Sequence, residues 1–324
     1  MKHIAKLVLL AILMTAILTG CQQNNTKSSA DTDDTDDVVN VVTTIFPQYD
    51  FVREIAGDNV ELMMLLSPGS ESHSYEPTPQ DIITIQNCDV FIYVGGESES
   101  WVDEILESMD TGNMKIIALM DSVNVVEEEI VEGMEAEDEH ESDEQEEEAE
   151  YDEHVWTSPK NAKLIVQGIS DALCEADRAN AGLFKENTTA YLEKLDELDA
   201  ALQEVVDHAA RTTLVFGDRF PFRYLAVDYG LTYYAAFPGC SSDTEPSAAT
   251  VAFLIDKVNQ ENIPVVFYIE FSNGKMADTI SESTNAVKLL LHSCHNVTAK
   301  ELEGGVSYLD LMNQNVENLK EALQ

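Results

Sequence analysis

Strands that alternate with helices predict an α/β protein of two lobes, each a mostly parallel sheet flanked by helices, joined by one long spine helix. Three observations carry this. Val38 to Ile45 and Val265 to Ile269 are β-branched or apolar runs with the character of buried strands. Stretches with helical spacing, such as Pro159 to Glu175, fall between such runs. Asn180 to Ala209 is one unbroken amphipathic run in which Leu183, Tyr191, Leu195, Leu198, Leu202 and Val205 recur at three- to four-residue steps. At about 1.5 Å per residue that run would extend roughly 45 Å, enough to brace two lobes.

In order along the first lobe, strands are expected at Val38 to Ile45, Val60 to Leu66, Val90 to Val94 and Lys115 to Leu119. Between them, helices are expected at Phe51 to Ala56, Pro79 to Asn87 and Trp101 to Met109. Ser67-Pro68-Gly69 and Gly95-Gly96 are turn signals that end strands. In the second half, Thr213 to Phe216, Leu231 to Ala236, Val265 to Ile269 and Val287 to Leu291 read as strands. Pro221 to Tyr229, Ala248 to Asn259, Met276 to Thr284 and Leu309 to Leu323 read as helices, so the two halves resemble each other in element order. The expected organisation is a first lobe over 38–179, the spine over 180–209 and a second lobe over 210–324.

Two N-terminal segments stand outside the lobes. Residues 1–21 read as a targeting segment. Lys2 and Lys6 precede the apolar stretch Leu7 to Leu18, which is too short to span a bilayer well. Leu18-Thr19-Gly20-Cys21 then has the form of a bacterial lipobox, in which Cys21 is lipidated and becomes the new N-terminus. Two acyl chains give stable anchoring, so the protein is expected outside the cytoplasm and tethered to the membrane. Residues 22–37 are polar, carry five Asp and lack aromatics, which predicts a flexible tether.

The formal charge is −43. Part of it is local: 17 acids and no Lys or Arg lie between Glu127 and Glu153, and without them 44 acids still face 18 bases. Such a surface repels nucleic acid. The low-complexity segment 127–150 is expected to be a mobile acidic loop. Besides Cys21 there are Cys88, Cys174, Cys240 and Cys294. Cys240–Cys294 is the preferred disulfide, with free buried thiols as the alternative.

Of seven histidines, His73, His154, His292 and His295 fall in loops or at strand ends. In open parallel sheets, ligands bind beyond the carboxyl ends of the strands. Neutral imidazoles converging there suit Zn2+. If they share an ion, their nitrogens should stand about 3 to 4 Å apart.

The chain resembles the zinc/manganese solute-binding proteins of ABC importers. The resemblance rests on Pro68-Gly69…His73…Tyr75-Glu76-Pro77, His154-Val155-Trp156…Pro159 and the spine helix. It continues through Tyr224-Leu225-Ala226…Tyr229-Gly230-Leu231, Glu245-Pro246-Ser247 and Ser307-Tyr308-Leu309…Met312. It implies four metal ligands, one from each of four loops. His73 matches the first, His154 the second and His292 the fourth. The third departs from the pattern, because Gly217-Asp218-Arg219-Phe220 puts Arg219 or Gly217 where a donor is expected. Asp218 is the nearest group able to coordinate, while His295, Glu270 or water are further candidates.

The functional expectation is capture of Zn2+, with Mn2+ as the alternative, and delivery to an ABC permease in the cytoplasmic membrane, without enzymatic turnover. Imidazole-rich donors favour zinc over the more oxygen-seeking manganese. An adhesin lipoprotein with a structural metal is a second reading. A secreted metallohydrolase is a third, but neither HExxH nor GxSxG occurs.

Overall fold

The computed structural model describes residues 38–71, 73–135, 150–241 and 245–324. The targeting segment, the tether, Cys21 and His140 lie outside the described residues.

The N-terminal sheet has four parallel strands in the order β2-β1-β3-β4: β1 (Val39–Thr43), β2 (Val60–Met64), β3 (Val90–Tyr93) and β4 (Lys115–Ala118). Val41 and Ile92 are fully buried, which explains the apolar runs of β1 and β3. Helices α1 (Phe46–Ala56), α2 (Pro79–Gln86) and α3 (Ser100–Ser108) follow β1, β2 and β3. Helix α1 begins five residues before the expected start. Pro47 sits in its first turn, where a missing N–H costs nothing, and Gln48 Oε1 accepts from the amides of Thr44 at 2.9 Å and Ile45 at 3.1 Å. In α2, Thr78 and Asp81 form a capping box that fixes the start.

After α4 (Pro159–Ala176), the spine appears as α5 (Ala181–Asp207), 27 residues and about 40 Å long. It packs against α4, α1 and the C-terminal helix α10 (Tyr308–Leu323). Its inner face buries Phe184, Tyr191, Leu195, Leu198 and Leu202. Phe51 of α1 meets Tyr191 at 6.1 Å and Tyr308 edge-on at 5.0 Å between ring centroids.

The C-terminal strands are also parallel: β5 (Thr213–Val215) pairs β7 (Thr232–Tyr234), and β9 (Val265–Tyr268) pairs β10 (Val287–Leu290). A bridge between Phe216 and Phe267 links the pairs. The resulting order, β7-β5-β9-β10, repeats the N-terminal pattern of a first strand lying between its second and third. The crossovers include α6 (Arg223–Tyr229), α7 (Ala248–Glu261) and α8 (Lys275–Ser283). Three short elements escape the sequence reading: β6 (Arg219–Phe220), β8 (Phe237–Pro238) and α9 (Ala299–Glu303). Two-residue strands carry no periodicity to read.

One hydrophobic core runs from Val39 to Leu323, so both sheets and the spine share an interior; residues 38–324 form one compact unit. A smaller core under α7 and α8 holds Val215, Leu254, Val266 and Ile280. Among the described residues, no helix is long and apolar enough to cross a membrane.

Two expectations are corrected. Cys88, Cys174, Cys240 and Cys294 are all free thiols, so no Cys240–Cys294 bridge forms. The two face different surroundings. Cys294 is buried near Glu270 and Asp50, whereas Cys240 faces Asp152, Glu153 and Glu128. The start of the acidic segment is not a free loop. Glu129 pairs with Arg223 at 3.0 Å, Glu132 with Lys257 at 3.1 Å, and the Glu135 amide donates to the Ala236 carbonyl at 2.9 Å. Each of these acids meets a basic or polar group of the C-terminal half, which composition alone does not reveal. Residues 136–149 lie outside the described residues.

Candidate metal centre

Three loops bring His73, His154 and His295 together, with one ring nitrogen from each lying within 4.8 Å of the others. The ring centroids are 5.0 to 5.5 Å apart. The nitrogens, within 4.8 Å of one another, stand close to the 3 to 4 Å of nitrogens sharing one ion, and shifts of roughly 1 Å would bring them to it.

The rings of His73 and His154 each have a polar partner on Nδ1. His154 is fully buried, and Asp152 Oδ1 lies 3.1 Å from its Nδ1 and accepts from its amide at 2.8 Å. Its Nε2 has no hydrogen-bond partner and points into the cluster. A buried nitrogen left bare on a ring whose other nitrogen faces a carboxylate is the arrangement a metal-binding histidine requires. Burial pulls the His154 pKa down, but Asp152, Glu153 and Glu128 together raise it. The Tyr224 hydroxyl donates to the Asp152 carbonyl at 2.6 Å, and Thr157 Oγ1 to the His154 carbonyl at 2.8 Å. Gly239 passes so close that a Cβ there would stand 3.1 Å from Asp152 Oδ2 and 3.2 Å from His154.

His73 lies in the loop after β2, its Nδ1 3.2 Å from Ser98 Oγ; the Ser98 amide in turn donates to Glu153 Oε1 at 2.9 Å. Burial, then the nearby His154 and Arg219, push its pKa down to about 3. His295 follows β10, and its amide donates to Glu270 Oε1 at 3.2 Å. Burial, reinforced by His73, His154 and Arg219, puts its pKa well below the usual range. Both rings are therefore neutral and able to ligate near neutral pH. Asn296 donates to the carbonyls of Ser67 at 2.8 Å and Ser70 at 2.9 Å, fastening the His73 loop to the His295 loop. The Trp156 indole N–H donates to the Ser293 carbonyl at 2.7 Å, joining the His154 and His295 loops.

Two other candidates stand apart from the cluster. The His292 amide donates to Asn315 Oδ1 at 2.8 Å, and its Nδ1 accepts from the Cys294 amide at 2.9 Å. Cys294 adopts a left-handed φ of 63°, and the chain turns there so that His295, not His292, joins the other two rings. Asp218 accepts from the Arg219 amide at 2.9 Å and the Ile269 amide at 3.4 Å, and it lines a neighbouring cleft with Lys275. Burial raises its pKa. Arg219 itself lines the histidine cavity together with Glu71 and Glu270. Its Nη2 donates to Glu71 Oε2 at 3.0 Å and its Nη1 to the Ser241 carbonyl at 3.1 Å. Burial would raise the Glu71 pKa, but the Arg219 guanidinium outweighs it and keeps the group a carboxylate. Sequence reading passed over Glu71; its only signal was its place two residues before His73.

Residues 41–322 match the profile of the ZnuA family, described as zinc-uptake complex component A, periplasmic. The chain belongs to the ZnuA family. It is 32% identical over 321 residues to the zinc-binding lipoprotein AdcA of Streptococcus pneumoniae, covering 99% of this chain but 61% of that protein. It is 32% identical over 308 residues to the high-affinity zinc uptake system protein ZnuA of Bacillus subtilis, covering 95% of this chain and 94% of the relative. The Zn(II)-bound ZnuA-like domain of Streptococcus pneumoniae AdcA superposes with a TM-score of 0.72 at 30% identity, over 88% of this chain and 98% of that structure. The metal-dependent lipoprotein YcdH of Bacillus subtilis gives 0.74 at 29% identity, over 88% and 100%. ZnuA-family membership fits the two-sheet α/β architecture and the long spine.

Proposed function

We propose that this chain is an extracytoplasmic receptor that captures Zn2+ and hands it to an ABC permease, held at the membrane by a lipid on Cys21. The observation that carries the reading is the convergence of three imidazoles from three loops, with His154 Nε2 buried and lacking a partner. The ion is cargo: it binds, is released, and undergoes no reaction. The neutral rings of His73 and His295 give up no proton on binding. Glu71, Glu270 and Asp152 offset the ion's charge from the surrounding shell. Three nitrogens favour Zn2+ over Mn2+, which seeks more oxygen. The proposed lobe boundaries are 38–179 and 210–324, with the spine between them at 180–209.

The matched relatives support this reading through the zinc binding and zinc uptake in their names. Equilibrium dialysis of metal-stripped protein should find one tight Zn2+ site per chain, lost in His73→Ala plus His154→Ala. Equal binding by wild type and double variant would refute the receptor.

A further inference from the structure

The start of the acidic segment, residues 127–135, has a built seat on the C-terminal half. Gly133 has a φ of 86° and lies so close to Phe253 of α7 that a Cβ would stand 2.1 Å from the ring. That ring is backed by Tyr234, edge-on at 5.7 Å between centroids, and by Lys257 Nζ at 5.1 Å. Lys257 also pairs with Glu132 at 3.1 Å. The Glu135 amide donates to the Ala236 carbonyl at 2.9 Å, and its Oε1 accepts from the Ser247 amide and the Thr250 hydroxyl, both at 2.6 Å, at the start of α7. Exposed ion pairs contribute little singly, so the seat rests mainly on the close approach of Gly133 and the hydrogen bonds of Glu135. The other end of the same segment reaches the back of His154. The Glu128 amide donates to the Glu150 carbonyl at 2.9 Å, and the Asp152 amide to the Val126 carbonyl at 3.0 Å, a short antiparallel ladder whose second strand runs on to His154. Glu128 Oε1 accepts from the Cys240 amide at 3.1 Å, and Cys240 follows Gly239, the residue packed against Asp152 and His154.

We propose that residues 127–135 are a latch between the two halves: seated on α7, they hold the Asp152–His154 turn and the Gly239–Cys240 turn together, and zinc leaves faster when the latch lifts. This rests on the zinc-receptor reading above. A two-stranded ladder of this length is marginal in water by itself, so its persistence depends on the seat at Gly133 and Glu135. Asp152 is the residue that orients His154, and its amide forms one rung of that ladder. Glu128 is the positioning residue at the site end, because it alone joins the ladder to the turn that carries Gly239. Anything that prises the segment off α7 therefore weakens zinc binding without touching a ligand. The coupling runs both ways: if the seated latch favours bound zinc, bound zinc favours the seated latch.

Hydrogen exchange and a chelator chase on the full chain test both directions. Exchange of the Glu135 amide reports the seat, and loss of Zn2+ to excess chelator reports the site. In the wild type, zinc should slow exchange at Glu135. Gly133→Ala cannot rest on Phe253, so it should leave that amide fast with or without zinc and release zinc about 10-fold faster, in the range of supporting-shell changes. Lys257→Glu sets two acids against each other and should speed release roughly 2- to 5-fold. Adding Glu132→Lys should restore the wild-type rate, a recovery that a general loss of stability does not give. If Gly133→Ala fails to fold or keeps Glu135 protected, the Lys257 pair and the zinc protection of the wild type carry the test. Three results overturn the latch while leaving the receptor intact: wild-type release from a Gly133→Ala protein whose Glu135 exchanges fast, no protection of Glu135 by zinc, or a Lys257→Glu rate that Glu132→Lys leaves unrepaired. A wild type that takes up no zinc overturns both.

Discussion

The two halves of the molecule share a strand order yet furnish the site unequally. In the N-terminal half, β2-β1-β3-β4 is followed by loops carrying His73 and His154. In the C-terminal half, β7-β5-β9-β10 delivers Arg219 from beyond β5 and a single imidazole, His295, from beyond β10. The repeated topology therefore decides where side chains arrive but not what they are. The support differs too. His154 is pinned by a buried carboxylate within its own loop, whereas His295 is held by its backbone amide and its ring packs against Trp156, 4.8 Å away between centroids. The N-terminal half places two imidazoles, one of them backed by a carboxylate, and the C-terminal half places one imidazole and a guanidinium paired with Glu71.

The sharpest way to break this comparison is to remove His154. His154→Ala deletes the most rigidly oriented donor and should cost more than the roughly 100-fold that changes in the supporting shell reach. The check is zinc affinity by competition with a chromogenic chelator, run beside His295→Ala. If His295→Ala weakens zinc far more than His154→Ala, the N-terminal half does not lead binding and the comparison fails.

A smaller effect probes orientation alone. Asp152→Asn keeps the size of the side chain but replaces the charged partner of His154 Nδ1 with an amide. Zinc affinity should fall by about 10- to 100-fold with the fold intact. Unchanged affinity would mean that burial, not the carboxylate, sets the ring.

Much of this was legible in the sequence, for identifiable reasons. Strands β1, β3 and β9 announce themselves because both faces are buried, leaving apolar runs, and the spine because its apolar stripe persists over 27 residues. His73 and His154 lie in turn-rich or aromatic segments of recognisable form. The division between His292 and His295 was not legible. It depends on the left-handed φ of Cys294 and on Asn315, 23 residues away, which takes up both the amide and the carbonyl of His292. No local pattern encodes a tether to a helix that comes later in the chain. Glu71 was invisible for a similar reason, since its meaning comes from Arg219, 148 residues on. The acidic stretch misled in the opposite sense. Composition argued for solvated charge, whereas Glu129, Glu132 and Glu135 find partners on α6, α7 and the strands between.

The mildest prediction asks whether the N-terminal half carries a cost tied to pH. Behind His73 lies a second cavity lined by Glu99, whose carboxylate accepts from the Val94 and Gly95 amides. Burial pushes its pKa up to about 7, from the ordinary 4.5, despite those hydrogen bonds. Between these two values the folded protein holds a proton that the unfolded chain has released. Stability from this group is therefore full below pH 4.5, declines as pH rises to about 7, and is level above that. Glu99→Gln keeps an acceptor for both amides and cannot ionise, so it should lack the decline. Allowing for partial solvent screening, the difference in slope should amount to about 1–2 kcal/mol between acid and neutral pH. Urea unfolding of both proteins at pH 4.5 and pH 8 measures it, and parallel pH dependences would show that Glu99 ionises freely in the folded state.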